Sequence, residues 1–121
     1  MRYLTNHIVD GDSVNHQLRI NILDEPGQGG ACHAYRMEFP GDADSQILQF
    51  QNGPIKECGV NGVTQEALLA IVIDRLWSFQ SGPFSCRDNA IALTHCEEAL
   101  MWLQRRTRKR IKRGVEGTNQ E

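Results

Sequence analysis

The chain has no apolar run near the roughly 18 residues that a membrane-spanning helix needs; its longest, 67–73, is ended by Asp74. It also lacks the continuous apolar stretch of a signal peptide: the N-terminus reads Met1-Arg2-Tyr3-Leu4-Thr5-Asn6-His7. Both absences point to a soluble, cytosolic protein with no membrane partner. Its four cysteines (Cys32, Cys58, Cys86, Cys96) form no C-x-x-C pair. That spacing argues against a zinc ribbon, a thioredoxin motif and a disulfide framework, and leaves buried or idle thiols. Ser, His and Asp are scattered without triad spacing. Gly27-Gln28-Gly29-Gly30 lacks the Lys-Ser/Thr of a P-loop and opens no helix, so it reads as a hairpin loop, with a backbone contact to an anion as the lesser alternative. Cys32 and His33 are adjacent on a strand and point to opposite faces. Glu97 and Glu98 diverge by about 100° on a helix. No catalytic residue, metal site or cofactor is expected.

What is present is an ordinary globular composition in 121 residues, 40% hydrophobic and 23% charged, which fits one domain. The net charge of −2 hides an asymmetry. Residues 1–104 hold six basic and thirteen acidic side chains; residues 105–121 hold seven basic and two acidic. All seven cations of the second group fall between Arg105 and Arg113. A small acidic domain with a concentrated basic segment points to an anionic partner.

The periodicity changes at Asn61-Gly62, from that of strands to that of helices. Over 16–23 the chain alternates, with Leu18, Ile20 and Ile22 on one face and Gln17, Arg19 and Asn21 on the other, as in a half-buried strand. Asp24-Glu25-Pro26-Gly27 breaks it in the manner of a type II turn. Alternation resumes over 31–39 (Tyr35, Met37 and Phe39 on one face), and Pro40-Gly41-Asp42 breaks it again. Residues 47–51 predict a third strand and 55–60 a fourth after Gly53-Pro54; residues 3–9 are a possible edge strand. Strands joined by short turns form an antiparallel meander.

Thr64 predicts the cap of a helix running to about Gln80. Apolar residues cover most of its circumference, so it needs cover on two sides, such as the sheet and another helix. Ser81-Gly82-Pro83 stops it. Ser85-Cys86-Arg87-Asp88 has the S-x-x-D form of a capping box, with Ser85 as cap of a second helix to about Ile111. Leu93, Cys96, Leu100 and Leu103 form its seam. Two helices joined by a short loop make an antiparallel hairpin. The expected fold class is α+β: an antiparallel sheet over about 1–60, packed on a helical hairpin over about 64–112, with a disordered tail at 114–121.

If the second helix continues through the basic run, Trp102, Arg106 and Arg110 form an i, i+4, i+8 row. Guanidinium forks grip phosphate and an aromatic ring stacks on a base. A solvated helix end, where cations complement the macrodipole, is a fair alternative for any one residue. For seven cations in nine positions it is strained by their mutual repulsion.

The segment A-L-T-x-x-E-E-A-x-M-W at 92–102, after the Ser81-Gly82-Pro83 break, resembles the helical hairpin of a phage counter-defence family. That hairpin is shared by the anti-CBASS sponge and the type-one Thoeris anti-defence sponge. The β-rich first half is similar to the Thoeris-directed members. The resemblance implies a non-enzymatic protein in the host bacterial cytoplasm. It would sequester a cyclic ADP-ribose-type signal, glycocyclic ADP-ribose, away from its effector. It carries ligand-binding roles onto Phe79, Asn89, Arg106 and Arg110, and leaves Trp102 either at the ligand or in the hairpin core. Asn89 and Arg106 stand about 25 Å apart along one helix, which implies pockets shared across a dimer and a homo-oligomer of dimers or hexamer type. Some relatives also bind cyclic oligonucleotides at a separate site, for which Thr94 is the matching position.

Two other classes compete: a small nucleic-acid-binding protein using the basic helix end, and a structural assembly protein whose basic tail binds a nucleic acid or an acidic partner. Salt separates them from the sponge, because polyanion binding by many cations weakens steeply with ionic strength.

Overall fold

The computed structural model describes residues 2–41 and 44–114. The chain is α+β, with an N-terminal four-stranded antiparallel sheet followed by a one-turn helix and a helical pair. It separates into two compact units. One comprises the chain up to Gly53 together with Cys58–Val63; the other comprises Pro54–Glu57 and the chain from Thr64 onward.

In the first unit, β1 (Arg2–Leu4), β2 (Arg19–Ile22), β3 (Ala34–Glu38) and β4 (Gln46–Gln49) pair in sequence order. The register places Ile22 opposite Tyr35 and Tyr35 opposite Leu48, and Leu4 opposite Ile20 and Ile20 opposite Met37. The alternating apolar residues therefore share one face, as the pleat requires. Ile22 is 3% exposed, and Tyr35 meets Phe50 edge-to-face at 5.6 Å.

Asn21, assigned from the sequence to the polar face, is instead 2% exposed. It pairs with Tyr3 on one side and Arg36 on the other, whose long side chains share its face. Its Nδ2 donates to Glu38 Oε1 at 2.8 Å, and Arg36 reaches the same carboxylate oxygen at 3.9 Å. Burial of Asn21 is thus accompanied by a charge-assisted bond.

Aspartates organise both loops of this unit. Asp24 accepts from the backbone N–H of His33 at 2.9 Å and of Ala34 at 3.2 Å, closing the β2–β3 connection. Asp12 does the same for Val9 and His16, at 2.9 and 2.7 Å. These donors, the His33 N–H first for Asp24 and the Val9 N–H first for Asp12, hold both carboxyls below their ordinary pKa. The connection at 27–30 is a hairpin loop containing a short 3-10 turn, with Gly29 at φ +78°.

The strand predicted over 55–60 is not formed. Ile55–Cys58 is a single helical turn, α1, with Pro54 O accepting from Glu57 N at 3.0 Å. Side-chain amides explain the difference. Asn61 Oδ1 accepts from Asn52 N (2.8 Å) while Asn61 Nδ2 donates to Asn52 O (2.6 Å). Gln51 Oε1 accepts from Asn61 N (2.9 Å) and its Nε2 donates to Gly59 O (2.8 Å). Amide side chains thus satisfy backbone groups that a strand would have used in a ladder. The chain then returns to the end of β4: Val63 N donates to Gln49 O at 2.8 Å, and Gln51 N to Val63 O at 2.9 Å. Gly62 passes so close that a Cβ there would stand 2.5 Å from Gln49 O.

In the second unit, α2 (Gln65–Gln80) is capped by Thr64, whose Oγ1 accepts from Ala67 N at 3.1 Å, as predicted. The second helix, α3, spans Arg87–Lys112. Its cap is Cys86, not Ser85: Cys86 Sγ accepts from Asn89 N at 3.4 Å. Gln80 Oε1 accepts from Cys86 N at 2.9 Å, which shifts the helix start one residue past the capping box read from the sequence. The helices pack together, with Leu93, Cys96, Leu100 and Leu103 half-buried along the predicted seam. No residue of either helix is fully buried; Ile71 and Trp77 of α2 are 65% and 59% exposed. Gly114, at φ +74°, follows the end of α3. The rest of the tail predicted at 114–121 lies outside the described residues. Among the described residues no helix is long and apolar enough to cross a membrane.

Candidate functional site

The basic segment is helical to Lys112, so the predicted row is real: Trp102, Arg106 and Arg110 lie one turn apart along α3. Arg106 is exposed and Arg110 half-buried. Both line one cavity of about 510 Å³ together with Trp102, Arg105 and Lys109. Trp102 is 65% exposed, which removes it from the hairpin core. The Arg105 guanidinium sits 5.2 Å over its ring. The cations also occupy the negative end of the helix dipole, which offsets part of their mutual repulsion. An anion at this end would meet several donors already aligned by the helix.

Phe79 and Asn89 lie at the other end, flanking the loop that joins α2 to α3. Phe79 is half-buried; the Phe84 ring lies 6.3 Å away, and the Arg75 guanidinium 5.1 Å from the Phe79 centroid. Asn89 is half-buried in the first turn of α3, where its backbone N–H is taken by the Cys86 cap. Thr94 is exposed further along. At 1.5 Å per residue, Asn89 and Arg106 stand about 25 Å apart. A single chain therefore brings Arg106 to Arg110, and Phe79 to the Asn89 end, but does not bring the two pairs together.

The Arg75–Phe79 stack was not predicted, although its i, i+4 spacing is the signal that found the arginine row. Among the described residues no three His, Cys, Asp or Glu side chains are grouped to hold a metal ion.

Residues 45–108 match the family model described as "Acb2/Tad1, hairpin domain", which covers β4, both helices of the pair as far as Arg108, and the positions Phe79, Asn89, Thr94 and Arg106. Arg110 lies two residues beyond the match. The protein "Thoeris anti-defense 1" of Bacillus phage SBSphiJ7 is 55% identical over 74 residues, which are 61% of this chain and 52% of that protein. The chain thus spans about half the length of the curated relative it matches.

Proposed function

The chain belongs to the family of the Acb2/Tad1 hairpin domain, and from that premise we propose that it is a phage Thoeris anti-defence protein acting as a sponge. It binds a cyclic ADP-ribose-type signal, glycocyclic ADP-ribose, holds it without cleaving it, and so keeps the Thoeris effector inactive. The 55% identity to a phage protein named for anti-defence supports the biological role.

The observation that carries the ligand chemistry is the placement of Arg106 and Arg110 one turn apart on a single cavity. Two guanidinium groups at that spacing suit the two phosphates of a pyrophosphate. Phe79 offers a ring for adenine, and Asn89 a donor and an acceptor for a base edge or ribose. Because about 25 Å of helix separates these pairs, an antiparallel second copy completes each pocket. The exposed apolar side chains of α2, Ile71 and Trp77 among them, supply surface for such a homo-oligomer. Thr94 is the position proposed for a second, cyclic-oligonucleotide site. Binding requires no cofactor or metal, and the protein works in the host cytoplasm.

The test is incubation of the purified protein with a panel of cyclic ADP-ribose isomers, followed by heat denaturation and identification of the released nucleotide. One isomer is expected back chemically intact. Arg106→Ala should weaken its binding roughly tenfold to a hundredfold, the worth of one charge-assisted contact. Conversion of the ligand, or unchanged affinity in both Arg106→Ala and Arg110→Ala, overturns the proposal. A monomer by light scattering at micromolar concentration removes the shared pocket.

A further inference from the structure

The outer face of α3 carries a second feature, which adjoins the cyclic-nucleotide cavity and shares Trp102 and Arg105 with it. Leu100, Leu103 and Thr107 are half-buried along one side of the helix. On the opposite side of the helix lie Met101, Trp102, Arg105, Arg108, Lys109 and Lys112, all exposed. Met101 and Trp102 are 64% and 65% exposed, an uncommon amount of apolar surface for a face otherwise made of cations. Met101, Trp102, Arg105 and Arg108 line a concavity of about 720 Å³ with Glu98, a carboxylate at its upstream end. Among the described residues, none of Arg105, Arg108, Lys109 and Lys112 has a carboxylate within 4 Å. Among the described residues, the face downstream of Trp102 is thus a track of positive charge without a carboxylate partner, beginning at an exposed indole ring.

We infer that this face binds single-stranded nucleic acid. The cations run along the phosphate backbone, and Trp102 stacks on an unpaired base. Charge complementarity selects an anionic partner over an apolar one, and the exposed indole among the cations suits the base of a nucleic acid better than a carboxylate patch. The exposed ring selects a single strand over a duplex, because base faces are available only where they are not stacked on one another. Arg105 over Trp102 adds a guanidinium plane beside the stacked base. Trp102, Arg105, Lys109 and Lys112 also line the cavity that holds Arg106 and Arg110, but Arg108 does not, so Arg108 is the position that separates the two binding activities.

Fluorescence anisotropy of the full chain with a labelled 20-nucleotide oligo-dT, and with a 20-base-pair duplex, tests the inference. Four phosphate contacts to a single strand predict a slope of log K against log salt of about −3, or about fiftyfold weaker binding between 50 and 200 mM salt. Trp102→Ala should weaken oligo-dT binding by roughly 5- to 150-fold. Arg108→Ala should make the slope shallower by about 0.7 while leaving cyclic ADP-ribose binding unchanged. These substitutions are at exposed helical positions, where alanine supports the helix. Three results would overturn the inference. The first is no oligo-dT binding at 50 mM salt. The second is equal affinity for duplex with no effect of Trp102→Ala, which would leave only diffuse charge attraction. The third is a change in oligomeric state in Trp102→Ala with unaltered oligo-dT binding, which would make the face a contact between copies of the chain.

Discussion

Replacing Gly62 by alanine should destabilise the sheet unit more than any other single methyl added at a glycine without positive φ. The new Cβ would stand 2.5 Å from Gln49 O and 2.5 Å from Phe50 C. Both are backbone atoms and cannot swing away as a side-chain end could. Relief requires residues 62–63 to move off the end of β4. That movement lengthens the bond from Val63 N to Gln49 O (2.8 Å) and the bond from Gln51 N to Val63 O (2.9 Å). Overpacking costs about 1–3 kcal/mol, and each of the two weakened bonds about 0.5–1.5 kcal/mol, for a loss of about 2–6 kcal/mol. For a unit of this size the midpoint of thermal unfolding should fall by at least about 8 °C. Gly82→Ala is the control, because a Cβ there meets Ser78 O at an ordinary 3.5 Å; its cost should stay within about 1 kcal/mol. Circular dichroism melts of the three proteins decide the matter. A Gly62→Ala midpoint within 2 °C of the parent would show that the close approach carries no energetic weight.

Acid should loosen the sheet unit through Asp24 and Asp12. Their folded pKa values are depressed, so their contribution is complete above the unfolded value of about 4 and is lost as pH falls through the folded one. Melting temperatures measured between pH 5 and pH 2 should drop, and the drop should be smaller in Asp24→Asn, which is less stable at pH 7 because the amide replaces one of two acceptors. Thr64→Ala removes the acceptor for Ala67 N and should cost about 1 kcal/mol of helical-unit stability, read by urea denaturation with an unchanged m-value. Phe79→Ala should weaken cyclic nucleotide binding by the worth of a stacking face, about 1–3 kcal/mol, with a near-parental melting temperature. A large fall in melting temperature with unchanged binding would instead put Phe79 in the packing of the hairpin.

The parts of the fold that were legible in the sequence are those where one residue type repeats at one period. The pairing of Ile20 with Met37 and of Ile22 with Tyr35 follows from alternation, and the seam from Leu93 to Leu103 follows from threes and fours. The sequence misled where polar side chains take over backbone hydrogen bonding. Asn61 and Gln51 fold 51–61 into a loop with a helical turn, and no periodicity records an amide that reaches nine or ten residues along the chain. Cys86 caps α3 although cysteine is not among the usual caps, and the neighbouring S-x-x-D pattern drew the start to Ser85. At the candidate site, the spacing of Arg106 and Arg110 sufficed to place them together on one face. The exposure of Trp102 was not readable, since an aromatic in a helix reads equally as core or surface until its neighbour is known.

The unbroken run of α3 sets a rule for how its length can change. Its 26 residues form one rod of about 39 Å with no loop to absorb an insertion. One extra residue between the seam and Arg106 would rotate the basic end by about 100°, carrying the arginines off their face while the leucines stay on α2. Seven extra residues leave a drift of only about 20°. Insertions and deletions here should therefore persist only in units of two turns, and each such unit moves the arginines about 10 Å along the axis without changing the direction in which they face.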